Sequence, residues 1–355
     1  MDERPPQDVG FTVLVLADPG QCVDRARAAQ GRFEEELAAV FGAATVHVRT
    51  QFLGISDSNT LALAPVDAVR GDYEHVDMTL LLTEMPRRAD KRALIAELLP
   101  DREVATLSLP TIGVLSGRER LVTVFMACVM QRGDALTEQD RARYSLRWSR
   151  WSGTSDRHGA HLRSSAVIGS IRTVLGMVST NAPWRAAPKL SSALAAASAT
   201  GAFGIFYNSI WQMSAALSTP RLLLIGLLAM TSMVLWLIVG NRLWERPMRD
   251  DATTVLLYYN LSTVLTLFLC VLSLYVALVV LILGGSLVVI DPDFMSGVLG
   301  EPATFARYVD IAWLSAALGV VAGGLGASFD DSTDLRQLTH GSRESLRRPS
   351  RDAQG

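Results

Sequence analysis

Up to about residue 180 the chain alternates short apolar runs with stretches whose apolar positions recur at helical spacing; beyond it, apolar residues run almost unbroken. FTVLVLADPGQ (Phe11 to Gln21) is β-branched and aliphatic, and it predicts a strand ending at Asp18-Pro19-Gly20. Asp18 is placed to N-cap the helix that follows, and Pro19 suits a first helical position. In CVDRARAAQGRFEEELAAVFG, Val23, Ala26, Phe33, Leu37 and Val40 mark one apolar stripe. TVHVRT (Thr45 to Thr50) alternates as a second strand would, and PVDAVRGD reads as a short helix. VDMTLLLTEMP predicts the third strand, ADKRALIAELLP a short helix closed by Pro100, and EVATLSLPTIG the fourth strand. SGRERLVTVFMACVMQRG predicts the last helix, with Ser116 and Glu119 as a capping box and Gly133 as a stop. Strands alternating with helices imply an α/β domain over residues 11–135, a mostly parallel sheet of four strands with flanking helices.

In such sheets ligands favour the carboxyl ends of the strands. The stretch TEMPRR puts Thr83, Glu84, Arg87 and Arg88 at one such end, and Asp18 closes another. These five are the candidate ligand-binding residues: guanidiniums to hold an anion, a carboxylate for proton transfer. An ordinary solvated loop carries the same residue types. The first strand is followed by DPGQ, not GxGxxG, and the chain has no GxxxxGK[ST], GxSxG or HExxH, so no cofactor and no catalytic residue are predicted. His158 and His161 form HxxH with no third ligand evident nearby, so no metal is predicted either.

RARYSLRWSRW alternates arginine with aromatic residues. Ahead of membrane segments this reads as a cytoplasmic interface, where arginines meet anionic lipid and tryptophans sit at headgroup level. Arg147, Trp148, Arg150 and Trp151 are the interface candidates here, joined further on by Trp184 and Arg185 of NAPWRAAPK. Between them HLRSSAVIGSIRTVLGMVS sets Val167, Ile168, Ile171, Val174, Leu175 and Val178 at helical spacing, with Arg163 and Arg172 off the stripe. An amphipathic helix lying on the bilayer or packed under the soluble domain fits this pattern, and residues 136–189 form a basic-aromatic linker that contains it.

Four spanning helices are predicted in residues 190–328, at about 190–217, 222–240, 258–286 and 308–328. The third run is long enough for two helices but has no turn signal before Gly284-Gly285, so one long helix is the expectation. Arginines and a lysine precede the first span, arginines lie between the second and third and follow the fourth, while DPDFMSGVLGEPAT has no basic residue. The positive-inside rule then places both termini in the cytoplasm of a multi-pass plasma-membrane protein, Arg221 being the one dissenter. Spans without charge give little reason to expect an ion or proton path. Gly319 and Gly323 form GxxxG, with Gly326 beside them, which favours close helix packing within the chain or between copies as a homo-oligomer.

Composition changes little. A formal net charge of -2 gives no reason to expect nucleic-acid binding, and three scattered cysteines make no disulfide framework. MDERPPQDVG has no apolar core of a signal peptide, so residues 1–10 are expected to be a flexible tail and residues 329–355 a disordered basic one.

LLLTEMPRR, TLSLPTIG, NAPWRAAPKLSSALAAA, NRLWERP, YYNLSTVLT and YVDIAWLSAALGVVAGGLGASFD together resemble a family of uncharacterised actinobacterial integral membrane proteins, over most of the chain from about Asp77 onward. The resemblance implies a leading α/β domain on a membrane anchor. Some family members carry the label methylenetetrahydrofolate dehydrogenase, but no residues here support a nicotinamide site. The family strand usually ends in Thr-Asp, and Glu84 stands in place of that aspartate. The expected function is a binding, regulatory or scaffold membrane protein whose cytoplasmic domain takes a small molecule or a protein. A membrane-tethered enzyme acting on a small anionic substrate is the alternative, and a transport or channel subunit the second alternative.

Overall fold

In a computed structural model of the chain, the first apolar run forms β1 (Phe11–Ala17), and α1 (Gln21–Phe41) follows after a three-residue turn. The structure describes residues 10–54, 64–89, 92–99, 103–113, 117–132, 142–146, 149–152, 159–181, 191–245 and 253–327. Gly20, at φ 91°, is the N-cap of α1, and no side chain caps that helix. The expected Asp18 cap is therefore corrected: its carboxylate turns across the sheet instead, as shown below. Ser116 and Gly133, expected at the ends of the last helix of the α/β domain, lie outside the described residues.

The chain continues through β2 (Ala44–Thr50), α2 (Ala64–Arg70), β3 (Met78–Thr83), β4 (Arg87–Ala89), β5 (Arg92–Leu99), β6 (Val104–Ser108), α3 (Leu109–Ile112) and α4 (Arg118–Arg132). Then come β7 (Ser149–Ser152), β8 (His161–Ser164) and α5 (Ala166–Asn181). Among the described residues the strands form one eight-stranded sheet in the order β2-β1-β3-β6-β5-β8-β7, with β4 paired to β5. β2, β1, β3 and β6 run parallel, and every pairing made by β5 and by β7 is antiparallel. The sheet is mixed, not mostly parallel, and wider than the predicted four strands.

β5 is the main correction. RALIAELL has good helix formers, yet it is a strand with Ala93, Leu94, Ile95, Ala96 and Leu98 all buried. Its neighbours β6 and β8 supply backbone partners on both edges, and both faces are covered, which outweighs a weak intrinsic preference. A buried strand loses the alternation by which sequence reveals strands.

The period of two sorts the strand residues into two cores. Val13, Val15, Leu80 and Leu82 face α1 and α4, where Phe33 and Phe125 meet at 5.1 Å between ring centres. Leu14, Leu16, Leu81 and Val104 pack with Val66 of α2.

The chain divides into two compact units: Met1–Thr180, Pro247–Tyr259 and His340–Gly355 in the first, Asn181–Arg246 and Asn260–Thr339 in the second. The second consists of α6 (Ser191–Phe206), α7 (Asn208–Ala216), α8 (Thr219–Gly240), most of α9 (Thr253–Val289), α10 (Pro292–Leu299) and α11 (Phe305–Ala327). Among the described residues three helices are long and apolar enough to cross a membrane: Thr219–Gly240, Leu256–Val289 and Phe305–Ala322. They turn large apolar side chains outward, among them Leu224, Leu228 and Leu235 of α8 and Val280, Leu281 and Val288 of α9. A surface this apolar is compatible with a bilayer.

The run after Thr253 is one helix of 37 residues. The expected first span is broken: Tyr207 is extended between α6 and α7, and the Trp211 indole N–H donates to the Gly204 carbonyl at 2.9 Å. That bond satisfies an acceptor freed by the break, as a buried carbonyl requires. α11 begins three residues earlier than expected and so adds Arg307, which pairs with Asp310, a charge already inside the predicted span, at 3.4 Å and with Glu301 ahead of the helix at 2.7 Å. Gly319 lies so near α6 that a Cβ there would stand 2.5 Å from the Ala197 carbonyl oxygen, so its close packing is used inside the chain. α11 runs on through Gly323 and Gly326.

Candidate strand-end site of the α/β unit

Asp18 ends β1 fully buried. Its Oδ1 accepts from the Leu53 backbone N–H at 3.1 Å. Its Oδ2 accepts from the Thr83 hydroxyl at 2.7 Å and from the Glu84 backbone N–H at 3.1 Å. Thr83 Oγ1 in turn accepts from the Met85 N–H at 3.2 Å. One carboxylate thus ties the end of β1 to the end of β3 and to the segment after β2. Charge-assisted bonds of this kind are the stronger class.

Glu84 is buried at 5% exposure, and its Oε1 lies 3.5 Å from where a Cβ on Gly20 would stand. The positive φ of Gly20 suits a residue without Cβ. A carboxylate beside the start of α1 also meets the positive end of the helix dipole.

Pro86 redirects the chain, and β4 pairs with β5 at Leu94, Ala93 and Arg92, beyond the stretch of β5 that β6 occupies. Consecutive strand residues point to opposite faces, so Arg87 and Arg88 diverge. Arg87 Nη2 pairs with Glu97 Oε2 at 2.5 Å, while its Nη1 is buried without a hydrogen bond among the described residues. Arg88 lies over the Tyr258 ring at 4.8 Å, and the Tyr258 hydroxyl donates to Ser170 Oγ at 2.5 Å. The five predicted residues therefore form three separate arrangements: a buried node of Asp18, Thr83 and Glu84, an ion pair at Arg87, and a ring stack at Arg88.

Around Arg87 the structure assembles residues the sequence did not single out for this site. Glu97 Oε1 meets His161 Nε2 at 3.2 Å, and Arg163 lies 3.3 Å from His161 Nδ1. Arg150 stands opposite Arg163 in the register of β7 with β8. Arginine, glutamate, histidine and arginine thus make a charged row across β4, β5 and β8. His161 carried a weak signal in HxxH, but its partners are 64 and 2 residues away, and only strand pairing brings Glu97 to it. His158, the other half of HxxH, lies outside the described residues.

The carboxyl ends of the parallel strands are covered by α5. Thr173, fully buried, donates to Thr111 at 3.4 Å, and Thr111 shares a bond of 3.1 Å with Ser108 at the end of β6. Gln21 Nε2 donates to the Ser179 carbonyl at 2.9 Å. Gly176 lies against Pro110 so closely that a Cβ would overlap the Pro110 carbonyl. The stem of Arg172 lies along Gly113, at 2.6 Å from a Cβ position there, and burial, with Arg120 adding its like charge, lowers the Arg172 pKa. Where a sheet of this kind would offer a crevice, this chain places its own helix.

Of the interface residues expected from sequence, Trp151 is half-buried against the core around Leu162, and Arg150 on the other face is exposed. The alternation of β7 forces that split. Arg147, Trp148, Trp184 and Arg185 lie outside the described residues.

These features define a class: a mixed α/β sheet unit whose strand ends are closed by a helix, in one chain with an apolar helical unit compatible with a membrane. No family model, curated protein or solved structure matches the chain.

Proposed function

We propose that this is a multi-pass plasma-membrane protein whose α/β unit is a cytoplasmic binding or regulatory domain. The observation that carries the reading is the use made of the strand ends: Asp18 spends its carboxylate on three internal hydrogen bonds, and α5 fills the place of a substrate. Chemistry needs a carboxylate that can reach a reacting atom. The charged row of Arg87, Glu97, His161 and Arg163 is the surface offered to an anionic small molecule or protein. The test is thermal unfolding of the full chain in lipid nanodiscs against nucleotides, NAD(P)H, folates and other anions. A ligand at a hundred times its dissociation constant stabilises by about 2.7 kcal/mol. The shift is expected to vanish in Arg87→Ala/Arg163→Ala; turnover of any of these compounds that depends on Asp18 or Glu84 would favour the enzyme instead.

We further read four crossings, with α6 and α7 together as the first and both termini cytoplasmic. The support is the charge pattern and the direct succession of α6 and α7, separated by Tyr207 alone. In intact cells a membrane-impermeant thiol reagent should label Ser296→Cys, while Arg242→Cys should react only after lysis. Labelling of a cysteine ahead of β1 from outside would reduce the count to three.

A further inference from the structure

Helix α5 has two faces, and the described residues cover one of them. Thr173, Val174, Met177 and Thr180 are buried, against α3 and against Tyr258 and Tyr259 at the start of α9. Val167, Ile168, Ile171 and Leu175 are exposed at 71%, 62%, 56% and 43%. At helical spacing these four fall within an arc of about 100°. A soluble protein surface seldom leaves such a row of branched apolar side chains open to water.

We propose that this stripe lies in the headgroup–acyl boundary of a lipid bilayer, so that α5 is a membrane-surface helix as well as the cover of the strand ends. The inference rests on the membrane reading above and deepens it. Three observations favour lipid over a second protein surface. α5 ends only ten residues before Ser191, where α6, the first apolar helix of the second unit, begins. α5 packs on the first turns of α9, which then continues unbroken through apolar residues to Val289. Finally, α5 carries no carboxylate, and Arg172 is its only charged residue, so nothing on it repels an anionic headgroup. The covering contacts Thr173–Thr111, Ser179–Gln21 and Gly176–Pro110 belong to the same helix, so closure of the strand ends and attachment to lipid are properties of one rigid element.

The experiment uses the full chain in nanodiscs of phosphatidylcholine and phosphatidylglycerol, with a spin label on Ile168→Cys, Ile171→Cys or Leu175→Cys. The natural cysteines Cys22, Cys128 and Cys270 are buried, and the unsubstituted chain serves as the labelling blank. Collision with dissolved oxygen should exceed collision with a water-soluble nickel chelate at all three positions, and the order should reverse for a label on Ala28→Cys, which is exposed on α1. Nickel accessibility at the stripe equal to that at Ala28→Cys would overturn the proposal. So would dipolar broadening that disappears on dilution with unlabelled chain, which would mean a second copy covers the stripe. A chain that stays in solution without detergent would instead sink the membrane reading itself, and fractionation before labelling separates the two failures.

Discussion

In the α/β unit a fully buried carboxylate, Asp18, takes hydrogen bonds from two other segments of the chain, whereas the helical unit turns many of its hydroxyls back on themselves. Thr231 donates to the Leu227 carbonyl, Ser273 to Leu269 and Ser286 to Leu283, each within its own helix at 2.8 to 2.9 Å. Between helices small residues bring backbones close, with Gly204 against Ser315, Gly319 against Ala197, and Gly226 beneath Trp313 and Tyr275, whose indole N–H and hydroxyl also donate across helices to the Leu222 and Trp313 carbonyls at 2.8 and 2.9 Å. The difference is the one expected of a sheet unit in water and a helical unit compatible with a bilayer. Where water competes, side chains bury apolar faces and fasten segments with polar nodes. In a bilayer, lipid is as apolar as the side chains, so burial gives no advantage and close approach of backbones does the work.

Cutting the polar node should give the largest effect. Asp18→Ala leaves the Thr83 hydroxyl and two buried N–H groups without their acceptor, and should destabilise the α/β unit by about 3 kcal/mol or more, read as a fall in its unfolding midpoint. The helical unit should unfold as before, since the two units are separate contact clusters. If both fell together, the contrast would be wrong.

Filling the small-residue contact comes next. Gly319→Leu drives a side chain into the Ala197 carbonyl and should cost about 1–3 kcal/mol of helix packing. Titration of the helical unit with a denaturing detergent measures it, while Gly297→Leu, in open space, serves as the silent control.

Alkaline pH should separate the units more gently. Burial, helped by the Glu36 carboxylate 2.6 Å away, pushes the Tyr144 hydroxyl up to about 12 from the usual 10. The folded state then holds the proton more tightly than the unfolded one. The contribution is fully present below pH 10 and falls as pH rises towards 12. Cys128, raised to about 12 by burial alone, acts in the same direction from pH 9 upward. Tyr144→Phe should flatten the slope above pH 10 and cost about 1 kcal/mol at neutral pH. The smallest change is Arg88→Ala, which removes the stack on Tyr258 for about 0.5–1 kcal/mol. Little or no broadening of the Tyr258 environment in that variant would mean that the Ser170 bond alone holds the ring.

Much of this was legible in the residues. β1, β2, β3 and α1 follow their period within a residue or two, and the uninterrupted run of α9 follows from the absence of turn signals. The strand-end position of Asp18, Thr83 and Glu84 was legible too, because the turn residues after each strand mark it. Their use was not: whether a carboxylate meets substrate or a neighbour's N–H depends on Leu53 and Glu84, which other segments deliver. The charged row was hidden for the same reason, since Arg87, Glu97 and His161 sit on three strands.

The sequence by itself determined where apolar surface is concentrated, hence an α/β unit ahead of helices compatible with a bilayer, since hydrophobic periodicity is a local property of the chain. Only the tertiary structure decided that RALIAELL is a strand, that Arg87 and Arg88 part company, and that α5 closes the strand ends. An eight-residue segment has too few internal hydrogen bonds to hold a conformation alone, so its partners choose for it. Which residues share a site is likewise fixed by pairings between distant segments, whose register no local pattern records.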